Sequence, residues 1–406
     1  MNPIPLDPTP RPGVRARLVE GLALDHNVTA VAAAMFLLGF GENLWRRFLP
    51  KYLQLLGAPI AAIGLFGTAE DFLDGVYQYP GGWIADRFGR RRALLLFICL
   101  TVVGYVVLLA APSWRYVFLG LVFVMAWTSM ASPALFAIVA DSLPRERRTM
   151  GFTVQSILRR LPIAIAPTVG GLAIATLGLQ MGMRLGLTVS IVLAFVTLMV
   201  AARVRIPVLA ELTPTGIAGV WRSLPLPLRW LLASDVFIRT CEAMVDVFIV
   251  LYAIDVIGVS APHYGALVAV EMMAAILSYF PAARLADRTG RKPFVVATFL
   301  AFALFPLAIV RSRSLGALVL AFVIGGIREL GEPARKALIV GLARPHLRAR
   351  SVGLYYLIRS VAIAPAAFIG GLLWRVSPEI PFYVASAVGL AGTLVFVVTV
   401  DERNAG

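Results

Sequence analysis

Apolar positions along the chain fall in twelve long blocks bounded by proline, glycine and basic clusters. They lie near residues 28–49, 60–82, 93–111, 115–140, 150–176, 183–203, 229–254, 262–284, 294–310, 315–343, 350–374 and 381–400. Each approaches the roughly 20 residues that cross a bilayer as a helix, and each exceeds the roughly ten alternating residues of a barrel strand. Lipid offers the backbone no hydrogen-bond partners, so only helices and closed barrels span it. The pattern predicts an all-α polytopic membrane protein with twelve transmembrane helices. The longest polar connection contains Pro207, Pro214, Pro225 and Pro227 and divides the helices six and six. The predicted organisation is a tail over 1–27, a bundle over 28–203, a cytoplasmic linker over 204–228, a second bundle over 229–400 and a tail over 401–406.

Composition agrees with this reading. Of 406 residues, 59% are hydrophobic and 15% are charged, against about 25% charged in a soluble domain. Lys+Arg of 37 against Asp+Glu of 22 leaves a net charge of +15, which in a soluble protein would suggest nucleic acid. Here the basic residues collect in alternate connections, as Arg87 and Arg90–Arg92, Arg145–Arg148, Arg203 and Arg205, Arg288 and Arg291, and Arg344–Arg350. The positive-inside asymmetry therefore places both termini in the cytoplasm and accounts for the charge without nucleic acid. Residues 1–26 lack an apolar core followed by a cleavage site, so the first helix is expected to be retained. Cys99 and Cys241 lie apart in separate apolar runs, and the three histidines sit at helix ends or in loops, so no disulfide framework, metal site or cofactor is expected.

The chain also repeats itself at an offset of 200 or 201 residues. Glu42 matches Glu242, Gly57 matches Gly258, Gly64 matches Gly265, Glu70 matches Glu271, Asp86 matches Asp287, Arg159 matches Arg359, and Gly170-Gly171 matches Gly370-Gly371. Several rare intramembrane charges in register indicate duplication, and two parallel repeats predict two pseudo-two-fold six-helix bundles with a site near the midplane between them. The segment Gly82-Trp83-Ile84-Ala85-Asp86-Arg87-Phe88-Gly89-Arg90-Arg91 resembles the signature loop between helices 2 and 3 of the major facilitator superfamily (MFS). Its second copy, Ala283 to Lys292, includes Asp287, Arg288, Gly290 and Arg291, with Ala283 where the family has glycine. The resemblance implies the MFS fold and a latch in which these residues pair helices of the two halves on the cytoplasmic side. Gly89 suits the tight turn such a hairpin needs.

Charges inside spans are costly and face cavities or one another. Helix 1 carries Glu42, Arg46 and Arg47; helix 2 carries Glu70, Asp71 and Asp74; helix 5 carries Arg159 and Arg160. Helix 7 carries Asp235, Arg239, Glu242 and Asp246; helix 8 carries Glu271; helix 10 carries Arg328, Glu329, Glu332, Arg335 and Lys336; helix 11 carries Arg359. Helices 3, 6, 9 and 12 have none in their interiors, which predicts lipid-facing supports around a cavity lined by the others. Spacing of three or four predicts one stripe on helix 7, from Asp235 to Asp246, and a ladder of Arg328, Glu332 and Arg335 on helix 10. With ten acidic and nine basic groups in the spans, the expected cavity is amphoteric. Glu42 and Glu242 are the favoured proton-coupling groups, each beside an arginine that can exchange partners, with Glu70 and Glu271 as further candidates. The substrate-cavity set is Arg46, Asp71, Asp74, Arg159, Arg239, Asp246, Arg328, Glu332, Tyr355 and Arg359, with Arg159 and Arg359 expected chiefly as counter-ions.

Helices 5 and 11 carry Pro162, Pro167 and Pro365 before paired glycines, which predicts bends. Ala166-Pro167-Thr168-Val169-Gly170-Gly171 is similar to the Gly-Pro-x-x-Gly-Gly stretch of the superfamily's proton-driven exporters, although helix 4 lacks the arginine those exporters carry. The expected function is proton-coupled efflux of a small organic solute across the cytoplasmic membrane by a monomer. A proton- or sodium-coupled importer of a nutrient or organic anion is the alternative, and an integral membrane enzyme acting on lipids is a distant one. Neither a Gly-x-x-x-x-Gly-Lys-Ser/Thr loop nor a His-Glu-x-x-His motif is present, which disfavours a primary pump and a metalloprotease.

Overall fold

The computed structural model describes residues 26–131, 148–202, 221–222, 224–289, 292–342 and 348–400. Among them the chain forms twelve helical segments. The first half contains α1 (His26–Asn43, continued through a 3-10 turn, Arg46–Phe48, into Leu49–Leu55), α2 (Ile60–Phe88) and α3 (Arg90–Ala110). It continues with α4 (Trp114–Met125, then a π-turn, Ala126–Met130), α5 (Arg148–Leu177) and α6 (Leu179–Ala201). The second half contains α7 (Leu226–Leu251, then a π-turn, Tyr252–Val256), α8 (Ala261–Thr289) and α9 (Lys292–Arg311). It ends with α10 (Leu315–Ile327 and Glu332–Leu342), α11 (Arg348–Ile363 and Pro365–Trp374) and α12 (Ile380–Thr399).

α11 is interrupted at Ala364 before Pro365, and α5 is helical throughout with Pro162 and Pro167 inside it. One expectation about these helices needs correction. α10 is not one helix but two, parted at Arg328–Gly331, because Pro333 has no N–H to donate back into the turn. The Gly331 amide is instead taken by Thr298 Oγ1 at 2.6 Å.

Packing repeats between the halves. α1 lies against α5 and α6, and α7 against α11 and α12; α3 packs on α4 and α6, and α9 on α10 and α12. The halves meet where α5 packs on α8 and α2 on α11, two contacts that exchange under the repeat. Burying apolar surface in lipid gives helices little drive to associate, so close approach at small residues does the holding. A Cβ on Gly64 would stand 2.5 Å from the Ala367 carbonyl oxygen, and one on its mate Gly265 would stand 2.6 Å from Thr168 Cα. Gly170 and Gly370 similarly abut the backbones of Leu44 in α1 and Met244 in α7. Gly57 and Gly258, another matched pair, both take φ of +84° where α1 and α7 turn into the next helix.

Among the described residues, seven segments are long and apolar enough to cross a membrane by length and composition alone, drawn from α3, α5, α6, α8, α9, α11 and α12. α2 and α7 miss that standard because of the charges in their middles, and α10 because an irregular turn divides it; α4 is apolar over Trp114–Met130. Large apolar side chains face outward on the supporting helices, among them Leu96 and Val106 of α3, Met199 of α6, Leu300 of α9 and Leu394 of α12.

Candidate functional site: a charged cavity between the halves

A cavity of about 500 Å³ lies between the two bundles. α1, α2, α4, α5, α7, α8, α10 and α11 line it, together with Leu108 at the end of α3, while α6, α9 and α12 do not reach it. All four repeat-matched glutamates, Glu42, Glu70, Glu242 and Glu271, stand on its wall, as do Arg46, Asp71, Asp74, Arg239, Asp246 and Arg328.

The glutamates form two clamps. Arg46 donates to both Glu42 and Glu70. In the second half Arg328 donates to Glu271 and reaches Glu242 at 3.5 Å. The four carboxylates are repeat mates, but their guanidiniums come from α1 in one half and from α10 in the other. Each clamp places one cation between two carboxylates. Arg239 adds a link on the second side, donating to Glu242 at 2.7 Å and to Glu332 at 3.2 Å. The guanidiniums of Arg239 and Arg328 also sit over the Phe302 ring, at 4.9 and 5.2 Å from its centroid.

Three members of the expected cavity set, Tyr355, Arg359 and Glu332, stand elsewhere. Tyr355 and Asp235 are wholly buried behind the cavity, with Tyr355 OH donating to Asp235 Oδ2 at 3.1 Å. Arg359 is 3.6 Å from the same oxygen, which makes it counter-ion to an aspartate of α7 and not a cavity-wall group. Glu332 lies between Arg239 and Arg335, and Arg335 in turn donates to Asp235 at 2.5 Å. The stripe on α7 therefore divides, Asp235 turning to α10 and α11 and the other three facing the cavity. Trp127 lines the cavity, whereas Tyr355 and Tyr356 pack edge to face at 5.6 Å. Arg159's side chain lies outside the described residues.

Several contributors escape sequence reasoning. The π-turn of α4 brings Thr128 to the cavity beside Trp127, and Ser129 Oγ donates to Asp74 at 2.6 Å. Thr101 of α3 helps hold that turn by accepting the Trp127 amide at 3.1 Å. A helical pattern gives no warning of an inserted residue. At the end of the molecule where α1 leads into α2, Lys51 pairs with Asp255 across the halves, and Phe48 meets Tyr264 edge to face at 5.8 Å. Arg47 reaches Asp246 at 3.6 Å on the same path. These contacts close that end.

At the opposite end Gly89 has φ of +85° and terminates α2 as expected. Arg87 covers Trp83 and Phe88 of its own helix, at 5.1 and 5.9 Å, and pairs with no group of the other half among the described residues. Arg91 donates to the Ala202 carbonyl at the end of α6, and Lys292, its repeat mate, donates to Val397 of α12 at 3.0 Å. Both cations thus satisfy helix-terminal carbonyls within their own half. The surroundings of Gly82, the side chains of Asp86, Arg90, Asp287 and Arg288, and residues Gly290 and Arg291 lie outside the described set.

The description "Major Facilitator Superfamily" belongs to the family model that matches residues 31–254 and 231–406, nearly the whole described chain and both of its halves. The chain belongs to this superfamily. An uncharacterised MFS-type transporter of Methanocaldococcus jannaschii is 24% identical over 387 residues, covering 92% of this chain and 95% of that one. Among solved structures, a nucleoside transporter superposes with a TM-score of 0.75 at 11% identity, over 92% of this chain and all of its own. A POT family transporter in complex with 5-aminolevulinic acid gives 0.74 at 16% identity, over 91% and 95%. A human organic anion transporter gives 0.63 at 17% identity, over 91% and 98%. At these identities the structures establish the MFS fold. The protein is a multi-pass membrane protein and a secondary transporter of the MFS type for a small molecule, and its relatives are transporters and not enzymes.

Proposed function

We propose that the protein exports a small organic solute across the cytoplasmic membrane in exchange for protons, working as a monomer with both termini in the cytoplasm. The carrying observation is the pair of clamps, each setting one guanidinium between two repeat-matched glutamates. One cation between two carboxylates leaves a negative charge at the first clamp, while at the second Arg239 also pairs with Glu242 and ties it to Glu332. A proton on Glu42 or Glu242 removes one carboxylate charge and releases Arg46 or Arg328 toward the remaining partner, so protonation and helix pairing change together. Burial makes an uncompensated charge costly, and cavity opening to water on one side or the other changes that cost. Glu70 and Glu271 act as the acceptors that keep each arginine paired while the first glutamate is protonated. In this reading Asp86 and Asp287, with Gly82, Arg87, Gly89, Arg90, Arg288, Gly290 and Arg291, control the cytoplasmic end.

The test is flux in sealed proteoliposomes with an imposed pH gradient. Solute should move against the proton flow and should stop being concentrated when the gradient is collapsed. Glu42→Gln with Glu242→Gln should retain solute counterflow, which needs no gradient, and lose pH-driven accumulation. Full pH-driven accumulation in that double variant would defeat the assignment.

A further inference from the structure

The halves are repeats, yet they furnish the cavity unequally. Glu70 has its match in Glu271, but Asp71 is matched by Met272 and Asp74 by Ala275. α2 therefore presents two carboxylates where α8 offers a thioether and a methyl group, and Asp71, Asp74 and Met272 all line the cavity. Asp74 receives a hydrogen bond from Ser129. Among the described residues Asp71 has no hydrogen-bond or ion-pair partner, and the carboxylates of Glu70, Asp74, Glu242 and Asp246 line the same cavity. The arginines on the wall are already engaged. Arg46 is held by Glu42 and Glu70, Arg328 by Glu271 and Glu242, Arg239 by Glu242 and Glu332, and Arg47 reaches Asp246.

This imbalance decides which charge the cavity accepts. An anionic solute has to displace a carboxylate from a guanidinium before it gains a partner. A cationic solute meets a carboxylate that lacks one, and relieves the repulsion among its neighbours as it binds. Beside that charge the wall is soft and apolar, with Met272, Met125, Tyr264 and Trp127 within the same cavity; aromatic faces and thioethers suit a cation's organic body.

We infer that the transported solute carries one positive charge on an amine, its ammonium seated at Asp71 beside Asp74 and its apolar body against Met272 and the cavity aromatics. This rests on the transporter reading above and names the class of solute. Exchange of such a cation for protons follows directly, since both answer the same surplus of carboxylates and cannot both be held.

Three probes with one ring system separate the possibilities: tryptamine, which is cationic, tryptophol, which is neutral, and indole-3-acetate, which is anionic. Added at millimolar concentration to the purified full-length protein in detergent, tryptamine should raise the melting temperature saturably while the other two leave it unchanged. Asp71→Asn should weaken tryptamine about tenfold or more, and Asp71→Glu should restore it. Should Asp71→Asn prove polydisperse, Asp74→Asn provides the same comparison. An equal or larger shift with indole-3-acetate, no shift with tryptamine, or unchanged tryptamine affinity in the asparagine variant would overturn the inference. The measurement uses no gradient, so its failure leaves proton exchange standing; loss of pH-driven flux with tryptamine binding intact would remove proton exchange and spare the solute class.

Discussion

Asp235 and Arg335 have side-chain exposures of 0% and 1%, and each is the other's counter-charge. Two buried charges in contact are a poor source of net stability, but removing one strands the other. Arg335→Met should therefore destabilise the protein by about 3–5 kcal/mol. Asp235→Leu combined with it should recover only part of that loss, because Glu332 has lost Arg335 and Arg359 has lost Asp235, as read from unfolding in detergent by a double-mutant cycle. The individual charges are visible in the sequence; their partners are not. Spacing along α7 groups Asp235 with Arg239, Glu242 and Asp246, since residues three or four apart share a face. That face is wide enough to touch two neighbours, so Asp235 meets α10 and α11 while the others meet the cavity.

At the scale of helices, contact between the halves rests on missing side chains and a few crossing pairs. Gly64→Val would drive a side chain into α11, where the Ala367 carbonyl oxygen and Phe368 Cα lie only 2.5 and 3.1 Å from the place its Cβ would take. The expected outcome is separation of α2 from α11 at the closed end, read as faster thiol labelling of a cavity cysteine from that side. Lys51→Glu should act in the same direction by setting like charges against Asp255, and Asp255→Lys in the same chain should restore slow labelling. The matched glycines are legible in the sequence as repeats, because a glycine at a crossing leaves its mark in both copies. The π-turn of α4 is not, since backbone irregularity at Thr128 depends on what the neighbouring helices supply; the division of α10 has its cause in Pro333, but a continuous apolar block from 315 to 343 conceals it. Both irregular stretches occur at matched positions, and both deliver polar groups to the cavity wall.

For the whole molecule, the alternating basic loops set the expected orientation. With the native cysteines replaced, Val376→Cys between α11 and α12 should react with an impermeant thiol reagent in intact cells, and Arg222→Cys before α7 should react only after permeabilisation. Reversal of that pattern would invert the topology. Twelve apolar blocks, a duplicated set of charges and the signature loop determined the architecture by themselves, because hydrophobic length and register are properties of the chain in order. The tertiary structure alone decided which charges share a cavity, which arginines are already engaged, and that Asp71 stands without a cation among the described residues. Pairing is settled by distances between helices that are far apart in sequence, and no periodicity within one helix contains that information.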